Sequence, residues 1–196
     1  MGVLRLVKPS IDLEQEYLDM LDDWKKSGEK LVPWVLRFDT SNFSTMVELL
    51  EGYSKGIGLK ADQVEHTTYW LVNDDKKILG VVNIRHRLNA YLFRIGGHIG
   101  YGIRPSERRK GYATQMLRLA LEIVKSMGIE RVLVTCDKDN MGSAKTIIKN
   151  GGILESEDIY DGVLIQRYWI DLSQKETRPS GPLNKKIIKE SKTKCP

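Results

Sequence analysis

The run His98-Ile-Gly-Tyr-Gly-Ile-Arg-Pro-Ser-Glu-Arg-Arg-Lys-Gly-Tyr-Ala-Thr114 constrains this chain more than any other stretch. It reads as a strand, a short basic loop and the start of a helix. The loop holds Arg108, Arg109, Lys110 and Gly111 directly before a helix that begins at Tyr112 or Ala113. A helix N-terminus exposes unpaired backbone N–H groups and the positive end of the macrodipole. A glycine and three cations placed there make a pocket suited to a pyrophosphate. Gly111 lets the backbone approach such a ligand with no Cβ in the way.

The periodicity on either side supplies the rest of the framework. Val3 to Val7 alternates around Arg5 and predicts a strand. Ser10 then caps a helix with Leu13, Tyr17, Leu18, Leu21 and Trp24 on one face, ended by Gly28. Ser41-Asn42 opens a second helix whose apolar side is Met46, Val47, Leu49 and Leu50. Thr67 to Val72 and Lys77 to Ile84 predict a hairpin about Asn73-Asp74-Asp75-Lys76, and Arg85 to Gly97 is polar and irregular. Gly97 to Ile103 is the next strand, and its Gly100 and Gly102 mark a bulge or the close approach of another backbone. Ala113 to Met127 carries the strongest helical pattern, with Met116, Leu117, Ala120, Leu121, Ile123, Val124 and Met127 turned inward and Gly128 as the stop. Arg131 to Cys136 suits a buried strand. A helix opened by Asn140 or Ser143 runs to Lys149, and Ile153 to Ile159 pairs with Val163 to Trp169 about Tyr160-Asp161-Gly162.

In this order of elements, Arg108-x-x-Gly111-x-Ala113 resembles the Q/R-x-x-G-x-G/A signature of the GNAT (GCN5-related N-acetyltransferase) superfamily. Asp137-x-Asp139-Asn140-x-x-Ser143 resembles the second motif of that family. The resemblance spans roughly Leu4 to Leu172 and points to a bacterial branch from which no acceptor carries over. It implies an α/β fold: a mixed, mostly antiparallel sheet of six to seven strands with a splayed parallel central pair and flanking helices. It implies an acyl-CoA-dependent N-acyltransferase that moves an acetyl group from acetyl-CoA to a primary amine by direct attack. The acceptor would be a small-molecule amine or a peptide. The alternative is a catalytically weak acyl-CoA-binding or regulatory module.

The same resemblance assigns residues. Gly102, Ile103, Arg108, Arg109, Lys110, Gly111, Tyr112, Ala113, Thr114, Asn140 and Ser143 are expected to hold the cofactor, with Arg104 reaching its 3′-phosphate. A backbone N–H near Tyr101 or Gly102 is expected to stabilise the thioester oxyanion. His98 stands two residues before Gly100, where many members carry a glutamate, and is expected to act as general base directly or through water. Its structural alternative is a histidine on a half-buried strand; for Asn140 and Ser143 it is a helix cap. His66 and His86 lie outside the motif and read as structural, and Cys136 reads as packing. The chain departs from the family at Ile147, where many members carry a tyrosine general acid, and at Gly152, often a phenylalanine. Tyr101, Tyr112 or Tyr160 would have to substitute, or no acid is needed. Trp34, Phe38 and the segment from Arg85 to Tyr91 are placed to meet the acceptor, including an anionic group on it.

Charge argues against a nucleic-acid surface. The chain carries a net charge of +5, and from Ser173 onward stand seven cations and two anions, so residues 1–172 are neutral overall. The expected division is a cofactor-binding domain over 1–172 and a basic flexible tail over 173–196. No apolar run approaches the ~18 residues of a membrane span. The opening Met1-Gly-Val-Leu-Arg-Leu-Val has no signal-peptide pattern, and two cysteines give neither a disulfide framework nor a metal spacing. The expectation is a cytoplasmic monomer or homodimer with no metal, membrane or nucleic-acid partner.

Overall fold

The computed structural model describes residues 2–173. Seven strands divide into two antiparallel sheets. The first has the order β1 (Arg5–Val7), β2 (His66–Val72), β3 (Ile78–Arg85), β4 (Ile99–Ile103). The second has the order β5 (Arg131–Asp137), β7 (Val163–Asp171), β6 (Ile153–Tyr160). The expected single mixed sheet is therefore corrected: among the described residues every ladder is antiparallel, and β4 forms no ladder with β5. The two strands touch at their start, where the His98 N–H donates to the Leu133 carbonyl at 2.7 Å.

Side-chain alternation along β3 sends residues to two different cores. Val82 and Ile84 pack with Ile99, Ile103 and the apolar stripe of α3 (Tyr112–Ser126). That stripe is Met116, Leu117, Ala120, Leu121 and Val124, all buried as the 3.6-residue period predicts, whereas Met127, expected inward, is exposed. Val81 faces the opposite side and packs with Trp70 under α1 (Glu14–Ser27) and α2 (Phe43–Ser54). Layers on both faces explain why every residue of β3 is buried.

Helix α1 is entered through a 3-10 turn at Ile11–Leu13, where Ser10 Oγ accepts from the Asp12 N–H at 3.3 Å. Its buried side chains are Tyr17, Met20 and Trp24, so the inward stripe passes through Met20 rather than Leu18. The segment Arg85 to Gly97, read as irregular, contains a π-helical turn at Leu92–Gly96. Helix α4 (Met141–Lys149) packs on α3 and β5 and buries Ile147 completely. The tail expected over 173–196 lies outside the described residues, apart from Ser173. No described helix is long and apolar enough to cross a membrane, and no described group of three His, Cys, Asp or Glu residues could hold a metal.

Candidate active site

The loop between β4 and α3 is built largely from internal ion pairs. Asp23 accepts from Arg104 Nε at 3.1 Å, from the Ser106 N–H at 3.1 Å and from Ser106 Oγ at 2.6 Å. Burial pushes the Asp23 carboxyl up, but the Ser106 and Arg104 donors outweigh it and the net shift is downward. Glu107 is buried and receives Lys77 Nζ at 2.6 Å and Lys110 Nζ at 2.8 Å. Arg108 clamps the end of β4: Nε donates to the Ile103 carbonyl at 3.2 Å, and Nη1 reaches the Glu29 carboxylate at 2.6 Å. Its guanidinium also stands over Trp24, 5.8 Å from the ring.

Three of the cations expected to meet phosphates, Arg104, Arg108 and Lys110, thus have carboxylate partners within the protein. Arg109 is the exception: it is exposed, with φ of 63°, and makes no ion pair among the described residues.

Gly111 caps α3 with φ of 83°, a left-handed conformation that side chains disfavour. It has no side chain to cap the helix, so the N–H groups of Tyr112, Ala113 and Thr114 have no intrahelical partner. Nothing lies within 4 Å of where a Gly111 Cβ would stand. Open space, free amides and a helix dipole converge there, and these features fit the pyrophosphate of a nucleotide-like cofactor.

A gap separates β4 from β5 beyond the His98–Leu133 contact. The Arg85–His98 and Arg104–Leu79 backbone bonds fix the ladder phase of β4. Alternation then turns the backbone of Gly100 and Gly102 toward β3 and leaves the Tyr101 N–H facing the gap. At Gly102 the expected close approach of another backbone is found: a Cβ there would collide with the Val32 carbonyl and crowd Trp24 at 3.2 Å. The Ile103 side chain joins the α3 core and its carbonyl is taken by Arg108.

His98 does not stand as a base would. Its Nδ1 accepts from the Leu133 N–H at 2.9 Å, so the one lone pair of a neutral imidazole is already engaged and Nε2 carries the proton. Burial, followed by the nearby Arg85 charge, lowers its pKa to about 4. The residue pins β4 to β5 where they begin to part. Sequence position alone suggested a base; the partner Leu133, thirty-five residues away, reassigns the ring.

Beyond the gap lies a cleft of about 620 Å³. Tyr101, Cys136, Asn140 and Ser143 line one side. Tyr101 Oη and Ser143 Oγ are 2.9 Å apart, and burial raises the Tyr101 pKa to about 12. Asn140 Oδ1 accepts from the Ser143 N–H at 3.0 Å, so the second motif caps α4 and faces the cleft at once. Burial raises the Cys136 thiol to about 11, which leaves it an unreactive neutral thiol at neutral pH.

The other side of the cleft holds Trp34, Arg85 and His66. His66 was read as structural, yet it is the cross-strand partner of Arg85, and its buried Nε2 has no hydrogen-bond partner. Burial first, then the charges of Arg85 and His86, lowers its pKa to about 4. A signal was available: in the apolar β3 run, Asn83 and Arg85 are polar at period two, on the same face. Phe38 packs on Trp34 at 5.2 Å and does not line the cleft. His86 bonds Thr67 Oγ1 at 2.8 Å, away from it.

Comparison with known proteins places the fold and the family. No curated protein matches the chain in sequence. Among solved structures, the microcin C7 self-immunity acetyltransferase MccE, in complex with acetyl-CoA and AMP, superposes with a TM-score of 0.62 at 18% identity, covering 86% of this chain and 92% of that one. The spermidine/spermine N-acetyltransferase SpeG from Vibrio cholerae gives 0.56 at 17% identity, covering 88% and 96%. A dodecameric structure of spermidine N-acetyltransferase from Vibrio cholerae gives 0.58 at 15%, covering 91% and 98%. At such identities the likeness speaks for the fold alone. The profile of the acetyltransferase (GNAT) domain family matches residues 3–153, and with most of the sequence inside that match the chain belongs to the GNAT family.

Proposed function

We propose that this chain transfers an acetyl group from acetyl-CoA to a primary amine by direct attack. The observation that carries the reading is an uncapped α3 N-terminus directly after β4, together with a cleft lined by Tyr101 of that same strand. The first-turn amides of α3, with Arg109, would hold the pyrophosphate. The open edges at Tyr101 and Thr135 would take the pantetheine amides, as strands take an added strand. Acetyl-CoA supplies the activated acyl group.

Within that frame the Tyr101 N–H stabilises charge on the carbonyl oxygen. The Tyr101 hydroxyl, held by Ser143 and fully protonated at neutral pH, donates to the departing sulfur. It stands in for the tyrosine that Ile147 replaces, since Ile147 lies wholly in the core. His98 sets the width of the gap through Leu133. Its engaged lone pair favours an amine that reaches the site already neutral, drawn from the small unprotonated fraction at working pH. The family match and the acetyltransferase folds of MccE and SpeG support the reading.

The test has two stages. Acetyl-CoA at ~100 times its dissociation constant should stabilise the protein by about 2.7 kcal/mol in thermal unfolding. CoA release should then be followed across a panel of amines, amino acids and peptides. Absence of any thermal shift at millimolar acetyl-CoA overturns the cofactor assignment. A shift without turnover of any acceptor leaves a binding module in place of an enzyme.

A further inference from the structure

A buried cation with no carboxylate stands at the inner end of the cleft. Arg85 is 8% exposed. Its Nη1 donates to the Gly96 carbonyl at 3.2 Å, and among the described residues it makes no ion pair. The other well-covered arginines differ: Arg104 pairs with Glu16 and Asp23, and Arg167 with Glu155. A guanidinium offers five N–H donors, and leaving a buried one without an anion is costly. The carboxylates that line the cleft, Asp62 and Asp137, are exposed, and neither lies within ion-pair distance of Arg85. Arg37 lines the same cleft, and His66 faces Arg85 across the ladder with its Nε2 unpartnered. The inner wall is therefore cationic or neutral.

Placement narrows the ligand further. The guanidinium points its terminal edge at Gly100, with both terminal nitrogens 3.0 Å and Cζ 3.4 Å from where a Cβ would stand. Gly100 directly precedes Tyr101, and one residue of strand rises ~3.3 Å. An anion held by Arg85 would thus sit a short distance from the carbonyl at the Tyr101 N–H. That spacing suits a molecule whose amine and anion are separated by few bonds. The planar fork of arginine matches a carboxylate in two parallel bonds.

We infer that Arg85 is the acceptor-binding residue for a carboxylate, and that the acceptors are compact, amino-acid-like amines bearing their own carboxylate. This deepens the acetyl-transfer reading and rests on it for the identity of the reacting amine. Gly100 is part of the subsite, because any side chain there would displace the guanidinium.

The binding test is calorimetry on CoA-saturated protein, comparing N-acetyl amino acids with the matching N-acetyl amino acid amides. The acids should bind about 10-fold tighter, the scale of a charge-assisted hydrogen bond. Arg85→Met should bring acid and amide to near equality while CoA affinity stays, and Arg85→Lys should keep part of the preference. Equal binding of acid and amide by the wild type, binding of neither, or a preference that survives Arg85→Met would overturn the assignment. The wild-type comparison decides even if Arg85→Met does not fold.

The turnover test compares free amino acids with their amides and with simple alkylamines, using acetyl-CoA as donor. A kcat/KM higher for the acids by about 10-fold supports the subsite. Acetylation of amides or alkylamines at equal efficiency keeps the transferase and removes the subsite. Selective binding of acids without acetylation of any amine keeps the subsite and removes the transferase.

Discussion

At Tyr101 the main chain and the side chain serve the same small volume from different directions. The backbone N–H faces the gap, while the hydroxyl reaches Ser143 across it. Tyr101→Phe should lower turnover by about 10²-fold, the lower end for a positioned proton donor, with acetyl-CoA affinity nearly unchanged. Steady-state kinetics paired with calorimetry checks this, and unchanged turnover would mean that the thiolate leaves unaided. The buried histidines His66 and His98 make a second prediction. Both have pKa values lowered to about 4, against 6.5 in an unfolded chain. Stability is then complete above pH 6.5 and falls as pH drops toward 4, because the unfolded state binds the extra protons. Each group contributes a slope of about 1.4 kcal/mol per pH unit inside that window. Urea denaturation at pH 7 and pH 5 should show the loss, and His98→Gln should reduce it. A flat profile between those values would contradict the burial of both rings.

The loop before α3 separates cations that build the protein from Arg109, which makes no ion pair among the described residues. Arg109→Ala should weaken acetyl-CoA binding by about 1 to 3 kcal/mol, as for a lost charge-assisted bond, and leave the melting temperature in place. Arg108→Ala should do the reverse first: it removes the Glu29 bridge and the bond to the Ile103 carbonyl, so the melting temperature falls. Parallel calorimetry and thermal unfolding distinguish the two, and equal effects on binding would return Arg108 to the phosphate site. The element itself was plain in the sequence. The α3 stripe from Met116 to Val124 and the Gly111 stop before it are local patterns, and the structure keeps them within a residue. The partners Glu29 and Asp23, some eighty residues upstream of the cations they bind, leave no local mark.

Across the whole molecule, the two sheets are joined at His98, and Tyr101 of β4 and Thr135 of β5 line one cleft. The net charge of +5 equals the surplus carried from Ser173 onward. Truncation after Leu172 should therefore bring the net charge to zero, while melting temperature and acetyl-CoA affinity stay within error. A marked loss in either quantity would show that the removed segment contributes to the domain. The sequence by itself determined the element order, the amphipathic faces, the basic loop and the family. All of these are written in spacings of two, three or four residues, or in short motifs whose chemistry is local. Tertiary structure alone decided that the sheet is two sheets, that His98 spends its lone pair on Leu133, and that His66 and Arg85 share the wall of one cleft. Those outcomes depend on strand register and on contacts between residues far apart in the chain. No local period encodes such contacts, and only the packed fold brings their atoms within bonding distance.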